Sequence, residues 1–260
     1  RRDLTINAIA KTRDGEIIDP YHGTDDLKTK TLRHVSMAFV EDPLRVLRVC
    51  RFKAKLPDFS IAPETFQLMQ DMIHSKDFST LSKHRLWQEL LKSLDYEKPH
   101  VFLDELHTLG YFPEALHEKM ATHTYESCDP LVKFACLFAE PQLLAWVKEH
   151  FSPPKDFVFL ATTLKQQASL ISGLPSGEHI LSCLKSLKAF SNEKWIPLFA
   201  KCAAIKGNKA ISTQLQLALT AAKTVSARSP EITETGAELG IAIDRSRAKK
   251  INQALANKPD

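Results

Sequence analysis

Helical periodicity from Ser36 onward is the feature that most constrains the fold of this chain. Apolar residues recur at three- and four-residue spacing, and the periodic segments open with residues such as Pro63, Ser82 and Pro99, which favour the first positions of helices. Glycine, which ends or interrupts helices, occurs only 8 times in 260 residues, about half of its usual frequency. The pattern predicts a mainly α, multi-helical fold.

The first 35 residues have a different pattern. Turn signals surround the β-prone run 16–19, residues 24–28 suit one helical turn, and residues 31–35 suit a brief strand. This segment is predicted to be a short α/β unit. Beyond it, helices are predicted over the following segments: 64–74, 83–94, 100–109, 131–140, 142–150, 154–172, 177–189, 192–206, 209–227 and 238–256.

The segment from Leu32 to Leu56 predicts a helix with one apolar side and one basic side. At about 100° per residue, the apolar side collects five residues: Phe39, Val46, Leu47, Cys50 and Ala54. The opposite side collects four basic residues: Arg45, Arg48, Arg51 and Lys55. The apolar side is expected to pack, and the basic side is expected to face something acidic.

Asp42 comes three residues before Arg45, so both side chains leave the same stretch of surface, and Pro43 suits a first-turn position with Asp42 as a candidate N-cap. One interpretation is an ion pair on a solvated face, which stabilises a helix by only a few tenths of a kcal/mol. The other is a binding site, since an arginine fork grips phosphate or a base edge and a carboxylate accepts from an exocyclic amine. Three arginines beside one carboxylate favour the second interpretation.

Composition excludes several classes of protein. The chain is 43% hydrophobic and 25% charged, which is typical of an ordinary globular protein, and no run approaches the roughly 18 apolar residues of a membrane span. No signal peptide is recognised, so a cytoplasmic location without membrane association is expected. Because the net charge is only +4, any polyanion site must be a local patch.

Neither a disulfide framework nor a metal site is predicted. The five cysteines are irregularly spaced. None of the ten histidines is followed by Asp, and no HxxxH or HExxH spacing occurs, although His117 and His123 lie near acidic residues. Scattered surface histidines are the expected outcome.

Two further segments carry polar residues. Arg2 and Asp3, followed by Asn7, suit either a capped helix start or a clamp for phosphate and ribose. In the helix that is predicted after Ser82, Arg85 and Glu89 are four residues apart, which predicts an ion pair between them and a supporting role.

Three motifs follow one another in the first 56 residues: RRDLTINAIA, DGEIIDPYHGTDDLKTKTLRHV and AFVEDPLRVLRVCRFKAKL. In order and spacing they closely resemble the second half of the catalytic region of the class II tRNA nucleotidyltransferases, which comprise the bacterial CCA-adding enzymes and their poly(A) polymerase relatives. The resemblance extends more loosely through residues 82–94. It implies that residues 1–35 are the C-terminal part of the nucleotidyltransferase head, 36–96 a helical neck that recognises the base, and 97–260 a helical body and tail that binds tRNA.

The resemblance also implies roles for individual residues. Arg2 would contact the phosphates of the incoming nucleotide, and Asp42 and Arg45 would pair with the Watson–Crick edge of CTP or ATP. Ser82, Arg85 and Glu89 would brace the helix that carries this pair, although His84 stands where the family usually has Glu. In all, seven nucleotide-binding residues are implied: Arg2, Asp3, Asn7, Asp42, Arg45, Arg48 and Arg51.

The chemistry implied by the resemblance is transfer of a nucleotide to a tRNA 3′-hydroxyl with release of pyrophosphate. Its Mg²⁺ ions would be held by a DxD carboxylate pair upstream of Arg1. No catalytic residue and no metal ligand is therefore assigned within this chain, and the chain by itself is expected to be inactive. Since no His-Asp pair occurs, the phosphohydrolase activity that some relatives carry in an HD domain is not expected either.

Three functions stay open at this point. The first is part of a CCA-adding enzyme, which the presence of both Asp42 and Arg45 favours, because such a site must accept CTP and ATP. The second is a poly(A) polymerase of the same superfamily. The third is a non-catalytic helical module that binds RNA through backbone phosphates, without reading sequence.

Overall fold

Helices dominate the computed structural model of the chain, which describes residues 3–126, 129–172 and 175–257. The predicted mainly α fold is confirmed. The α-helices run as follows: α1 Gly23–Lys28, α2 Leu44–Lys55, α3 Pro63–Ile73, α4 Lys76–Ser79, α5 Lys83–Ser93, α6 His100–Thr108, α7 Glu114–His117, α8 Pro130–Phe138, α9 Pro141–Phe151, α10 Lys155–Gln166, α11 Ala168–Ser172, α12 Gly177–Ser186, α13 Trp195–Ile205, α14 Ile211–Lys223 and α15 Leu239–Ala256.

Four two-residue strands form two small sheets. The strands are β1 Ala10–Lys11, β2 Ile17–Ile18, β3 Thr31–Leu32 and β4 Ser60–Ile61. β1 pairs with β2 in antiparallel register, and β3 pairs with β4 in parallel. β2 lies in the β-prone run predicted over 16–19, whereas β1 was not predicted. β4 was not predicted, because its pairing with β3 joins residues almost 30 positions apart and leaves no local sequence pattern.

Residues 1–133 and 140–154 form one compact unit, in which α2 packs against α5 and α6. The apolar side that the sequence predicts for α2 is confirmed, since Val46, Leu47 and Cys50 are fully buried, as are Phe102 and Leu106 of α6. Burial raises the pKa of the Cys50 thiol well above its ordinary value. The basic side of α2 is thereby held at the surface of the packed unit.

Residues 134–139 and 155–260 form the other unit, in which α15 packs against α12 and α14. The amide of Gly177, the first residue of α12, donates to Oδ1 of Asn252 on α15 at 2.7 Å, and a Cβ on Gly177 would lie 2.3 Å from the carbonyl oxygen of Ala248. The helix predicted over 154–172 is divided at Gln167 into α10 and α11. No helix among the described residues is long and apolar enough to span a membrane.

Gly23 allows α1 to lie directly against the 3₁₀ turn Thr5–Asn7. A Cβ at this position would lie 2.3 Å from the carbonyl oxygen of Thr5, which is backbone and cannot rotate away. We therefore expect Gly23→Ala to lower the free energy of unfolding by about 1–3 kcal/mol, as overpacking does. Urea unfolding followed by circular dichroism measures the change.

The matched control is Gly240→Ala in α15, where a Cβ meets no atom within 4 Å. This exposed helical position should lose nothing, and the higher helix propensity of alanine should add up to about 1 kcal/mol. Equal effects of the two substitutions would contradict the close approach at Thr5.

Candidate functional site

Asp42 organises the start of α2. Its Oδ1 accepts a hydrogen bond from the amide of Leu44 at 3.2 Å, and its carbonyl oxygen accepts from the amide of Arg45 at 2.9 Å. The sequence predicts Asp42 as the N-cap, but the helix starts at Leu44 and its N-cap is Pro43. Asp42 therefore binds the first helical amide from the position before the N-cap. The carboxylate is thereby fixed at the N-terminal end of α2.

The same carboxylate binds Arg85 of α5. Nη2 of Arg85 lies 3.0 Å from both Oδ1 and Oδ2 of Asp42, and the amide of Arg85 donates to the hydroxyl of Ser82 at the start of α5. The predicted ion pair between Arg85 and Glu89 is wrong, because Arg85 turns toward Asp42 while Glu89 turns into the protein. The long-range partner is available only once α5 packs against α2.

Asp3 brings two arginines of α2 together. Its Oδ1 lies 3.3 Å from Nε of Arg45, and its Oδ2 lies 2.5 Å from both Nε and Nη2 of Arg48. Nη1 of Arg45 also donates to the carbonyl oxygen of Ala38. Arg45 is therefore held by Asp3 and by the turn before α2, and it does not pair with Asp42.

Asp3 is placed by the first segment of the chain. Its carbonyl oxygen accepts from the amide of Val35 at 3.3 Å, and the buried Leu4 forms a β-bridge with His34. The next residue, Thr5, donates its hydroxyl to the buried Asp26 of α1 at 2.7 Å. These contacts hold the Asp3 carboxylate, itself buried, against the basic side of α2.

Two predicted residues stand apart from this group. Asn7 is half-buried at the end of the turn that follows Asp3, where its amide donates to the carbonyl oxygen of Leu4 at 3.0 Å. Arg2 lies outside the described residues. The structure therefore brings together Asp3, Arg45 and Arg48, and it places Asp42 at the adjoining end of α2.

Arg51 turns away from Asp3 and into the protein. Its Nε lies 2.6 Å from Oε2 of Glu89, and its Nη1 donates to the hydroxyl of Tyr96 at 3.0 Å. The side chains of Arg51 and Glu89 are only 11% and 3% exposed, and Lys92 lies 3.0 Å from the second carboxylate oxygen. Burial opposes the charge on Arg51, but its hydrogen bond and charge interaction with Glu89 raise its pKa above the ordinary value.

These contacts leave one donor and one acceptor at the start of α2. The contacts of Arg45 use Nε and Nη1, and within the described residues Nη2 has no partner. The side chain of Asp42 is 35% exposed, so its carboxylate is accessible beside Arg85. A guanidinium and an accessible carboxylate at the same end of a helix suit a planar polar ligand such as a nucleobase edge.

Among the described residues, no cluster of three or more carboxylates offers Mg²⁺ a site. Across residues 3–126, 129–172 and 175–257, one group of three potential metal ligands lies close together, and it consists of two histidines and one glutamate. Mg²⁺ prefers oxygen ligands.

Three contacts between distant segments were not predicted from the sequence, because spacing predicts only neighbours on one helix. They join Asp3 with Arg48, Asp42 with Arg85, and Asp26 with Thr5.

Comparison with known proteins agrees with this architecture. The family described as "Poly A polymerase head domain" matches residues 1–33, and the family described as "Probable RNA and SrmB- binding site of polymerase A" matches residues 58–119. A CCA-adding enzyme of Coxiella burnetii is 43% identical over 172 residues, which cover 62% of this chain and 46% of that protein. The multifunctional CCA protein of Aliivibrio salmonicida is 46% identical over 174 residues, which cover 66% of this chain and 38% of that protein.

The fold is shared with a solved structure of the Thermotoga maritima CCA-adding enzyme complexed with tRNA-CCA. The TM-score is 0.57 at 18% sequence identity, and the match covers all of this chain and 69% of the other. The chain thus spans less than half of the length of the two curated relatives. In its head and RNA-binding segments and in its fold, the chain is similar to the CCA-adding enzymes and poly(A) polymerases.

Proposed function

We propose that the protein of which this chain is part adds CCA to the 3′ ends of tRNA from CTP and ATP, in the cytoplasm. Within it, this chain recognises the base and binds RNA. The observation that carries the proposal is the arrangement at the start of α2, where Asp42 stays accessible and Arg45 is fixed by Asp3. Two curated relatives of the chain, a CCA-adding enzyme and a multifunctional CCA protein, support the proposal.

The chemistry of the two bases explains why one carboxylate and one arginine are sufficient. Cytosine and adenine each present an exocyclic amine beside an unprotonated ring nitrogen on the Watson–Crick edge. Asp42 accepts from the amine, and Arg45 donates to the ring nitrogen. Uracil and guanine present a carbonyl oxygen where the amine would be, and two acceptors facing each other disfavour binding.

The other residues position this pair. Arg85 holds the carboxylate of Asp42 from the side of α5, and Asp3 holds Arg45 and Arg48. Arg48 keeps a partly exposed guanidinium for the phosphates of the nucleotide, and Arg2 and Asn7 complete that pocket. Arg51 contributes positive charge behind them, in contact with Glu89.

We assign the segments of the chain by the arrangement of domains in the family. We place the end of the head at residues 1–35, the neck at 36–96, and the helical body and tail at 97–260. As the resemblance to the family implies, Mg²⁺ for the transfer step would be held by a DxD carboxylate pair outside the described residues. The catalytic residues are placed with that metal, so the described residues serve in recognition.

Nucleotide addition by the parent protein tests the proposal. A tRNA that ends at its discriminator base is supplied with CTP and ATP, separately and together, beside an unstructured RNA. We expect two cytidines and then a single adenosine, on tRNA only. A long adenosine tract on either RNA would instead make the protein a poly(A) polymerase, and no addition would favour a module that only binds RNA.

A further inference from the structure

Two histidines and a glutamate come together at the junction of α6 and α7. A ligand atom of each of His107, Glu114 and His117 lies within 4.8 Å of the other two. His107 lies in the last turn of α6, and Glu114 and His117 are the first and last residues of α7. The chain reverses between the two helices at Gly110, whose φ of 84° suits glycine. Sequence spacing predicted no metal site here, because His107 lies on a different helix from Glu114 and His117.

We propose that His107, Glu114 and His117 form a binding site for a divalent transition-metal ion, with zinc as the preferred ion. Imidazole nitrogen and carboxylate oxygen are both common zinc ligands, and zinc sites with three protein ligands keep a fourth position for water. The site lies about 60 residues along the chain from Asp42 and Arg45, and it shares no residue with that group. The inference therefore does not depend on the proposed function.

The ring of His107 is already oriented as a ligand. Its Nδ1 lies 3.0 Å from the carbonyl oxygen of Phe112, a distance at which the ring N–H donates to that oxygen. In the metal-free chain Nε2 lies 3.0 Å from Oε2 of Glu114, and a ring that keeps its Nδ1–H on Phe112 would offer the lone pair of Nε2 to an ion bound between the two groups. Metal-binding histidines characteristically donate their second ring nitrogen to a carbonyl or carboxylate oxygen in this way.

The ring of His117 is oriented by a carboxylate. Its Nε2 lies 2.9 Å from Oδ1 of Asp104, which belongs to α6. The two imidazole rings stack at 4.2 Å between centroids and 12° between planes, and the ring of Phe112 meets His117 edge-on. Asp104 thus stands as the outer carboxylate of a carboxylate–histidine–metal arrangement.

The three groups are already close, but metal binding requires one imidazole ring to rotate out of the stacked arrangement so that both lone pairs converge on the ion. In a tetrahedral site with bonds of about 2.0 Å, ligand atoms lie about 3.3 Å apart, and the three groups here are separated by 3.0 to 4.8 Å. Glu114 is 68% exposed and free to rotate toward the histidines. Because α7 is a single turn, a bound ion would fasten it to the end of α6.

Zinc titration of the chain tests the site. The protein, without a histidine tag and freed of metal with EDTA, is titrated with ZnCl₂ by calorimetry, and thermal unfolding is recorded with and without the ion. We expect one zinc ion to bind per chain and the midpoint of thermal unfolding to rise with zinc. EDTA should return that midpoint to its value without zinc. Asp104→Asn should bind zinc roughly 10- to 100-fold more weakly, which is the usual effect of losing an outer carboxylate.

Variants decide whether these residues are the ligands. His117→Gln and Glu114→Gln should each abolish stoichiometric binding, whereas the control His84→Gln, which alters an exposed histidine of α5, should bind like the unchanged chain. Because Glu114 is exposed, Glu114→Gln keeps the test decisive even where His117→Gln fails to fold. Absence of zinc binding by the unchanged chain, or binding that survives in Glu114→Gln, would overturn the inference.

Discussion

Replacing Asp42 with alanine in the parent protein is expected to lower kcat/KM for both CTP and ATP by about 5- to 150-fold. The range corresponds to the 1–3 kcal/mol that a well-placed pair of hydrogen bonds contributes to base discrimination. The fold should survive, since Asp42 is partly exposed and its loss removes one helix-start hydrogen bond, a cost of about 1 kcal/mol. Single-turnover addition to tRNA measures the rate for each nucleotide.

Asparagine at the same position makes the prediction sharper. Asp42→Asn keeps an acceptor oxygen but adds an NH₂ group, which can donate to the carbonyl oxygen of uracil. We therefore expect the ratio of CTP to UTP incorporation to fall, while the alanine variant loses rate without gaining UTP. Asp25→Ala is the matched control, because Asp25 pairs only with the exposed Lys28 on α1. Unchanged rates and unchanged selectivity in both Asp42 variants would contradict base recognition by this residue.

Arg85 offers an independent check on the same site. It contacts Asp42 but lies on another helix, so we regard it as a positioning residue. Arg85→Ala should release the Asp42 carboxylate and lower selectivity between CTP and UTP, and Arg85→Lys should restore part of it. A role confined to stability would change the unfolding midpoint and leave the selectivity as it was.

The sequence predicts the helices well and their partners poorly. The two sides of α2 follow from the 100° spacing of its residues, because every apolar position on one side needs burial. The ion pair of Arg85 with Glu89 was predicted from local spacing and is wrong. Arg85 pairs with the more exposed Asp42, and the buried Glu89 pairs with Arg51. Contacts such as Asp3 with Arg48 depend on how the first segment packs on α2.

The resemblance added what spacing could not. The motifs imply that Asp3 shapes the phosphate pocket and that Asp42 and Arg45 read the base, and the structure brings the carboxylate of Asp3 onto Arg45 and Arg48. Arg51 shows the opposite case. Its position on the basic side of α2 predicts a nucleotide contact, but the carboxylate of Glu89 lies within its reach and draws it inward. The position of a residue on a helix sets the direction of its Cα–Cβ bond, but it does not set where the charged group of a long side chain lies.

Arg51→Ala is expected to lower the free energy of unfolding by about 3–5 kcal/mol, because it leaves the buried carboxylate of Glu89 without its main partner. Lys92, which still reaches Glu89, should keep the loss near the lower end of that range. Urea unfolding measures it, with Lys28→Ala as the control. Lys28 pairs with Asp25 at an exposed position, where such pairs contribute about 1 kcal/mol or less. Equal losses in the two variants would show that Glu89 is solvated.

The double variant Arg51→Met/Glu89→Leu separates the two roles of Arg51. It removes both charges and refills the space with apolar groups, which in buried ion pairs often restores stability. We expect it to be more stable than Arg51→Ala, which makes nucleotide affinity readable without a folding defect. If the parent protein with this double variant keeps its KM for CTP, Arg51 acts only by supporting α2. If KM rises while stability is restored, the positive charge of Arg51 reaches the nucleotide, as the motif implies.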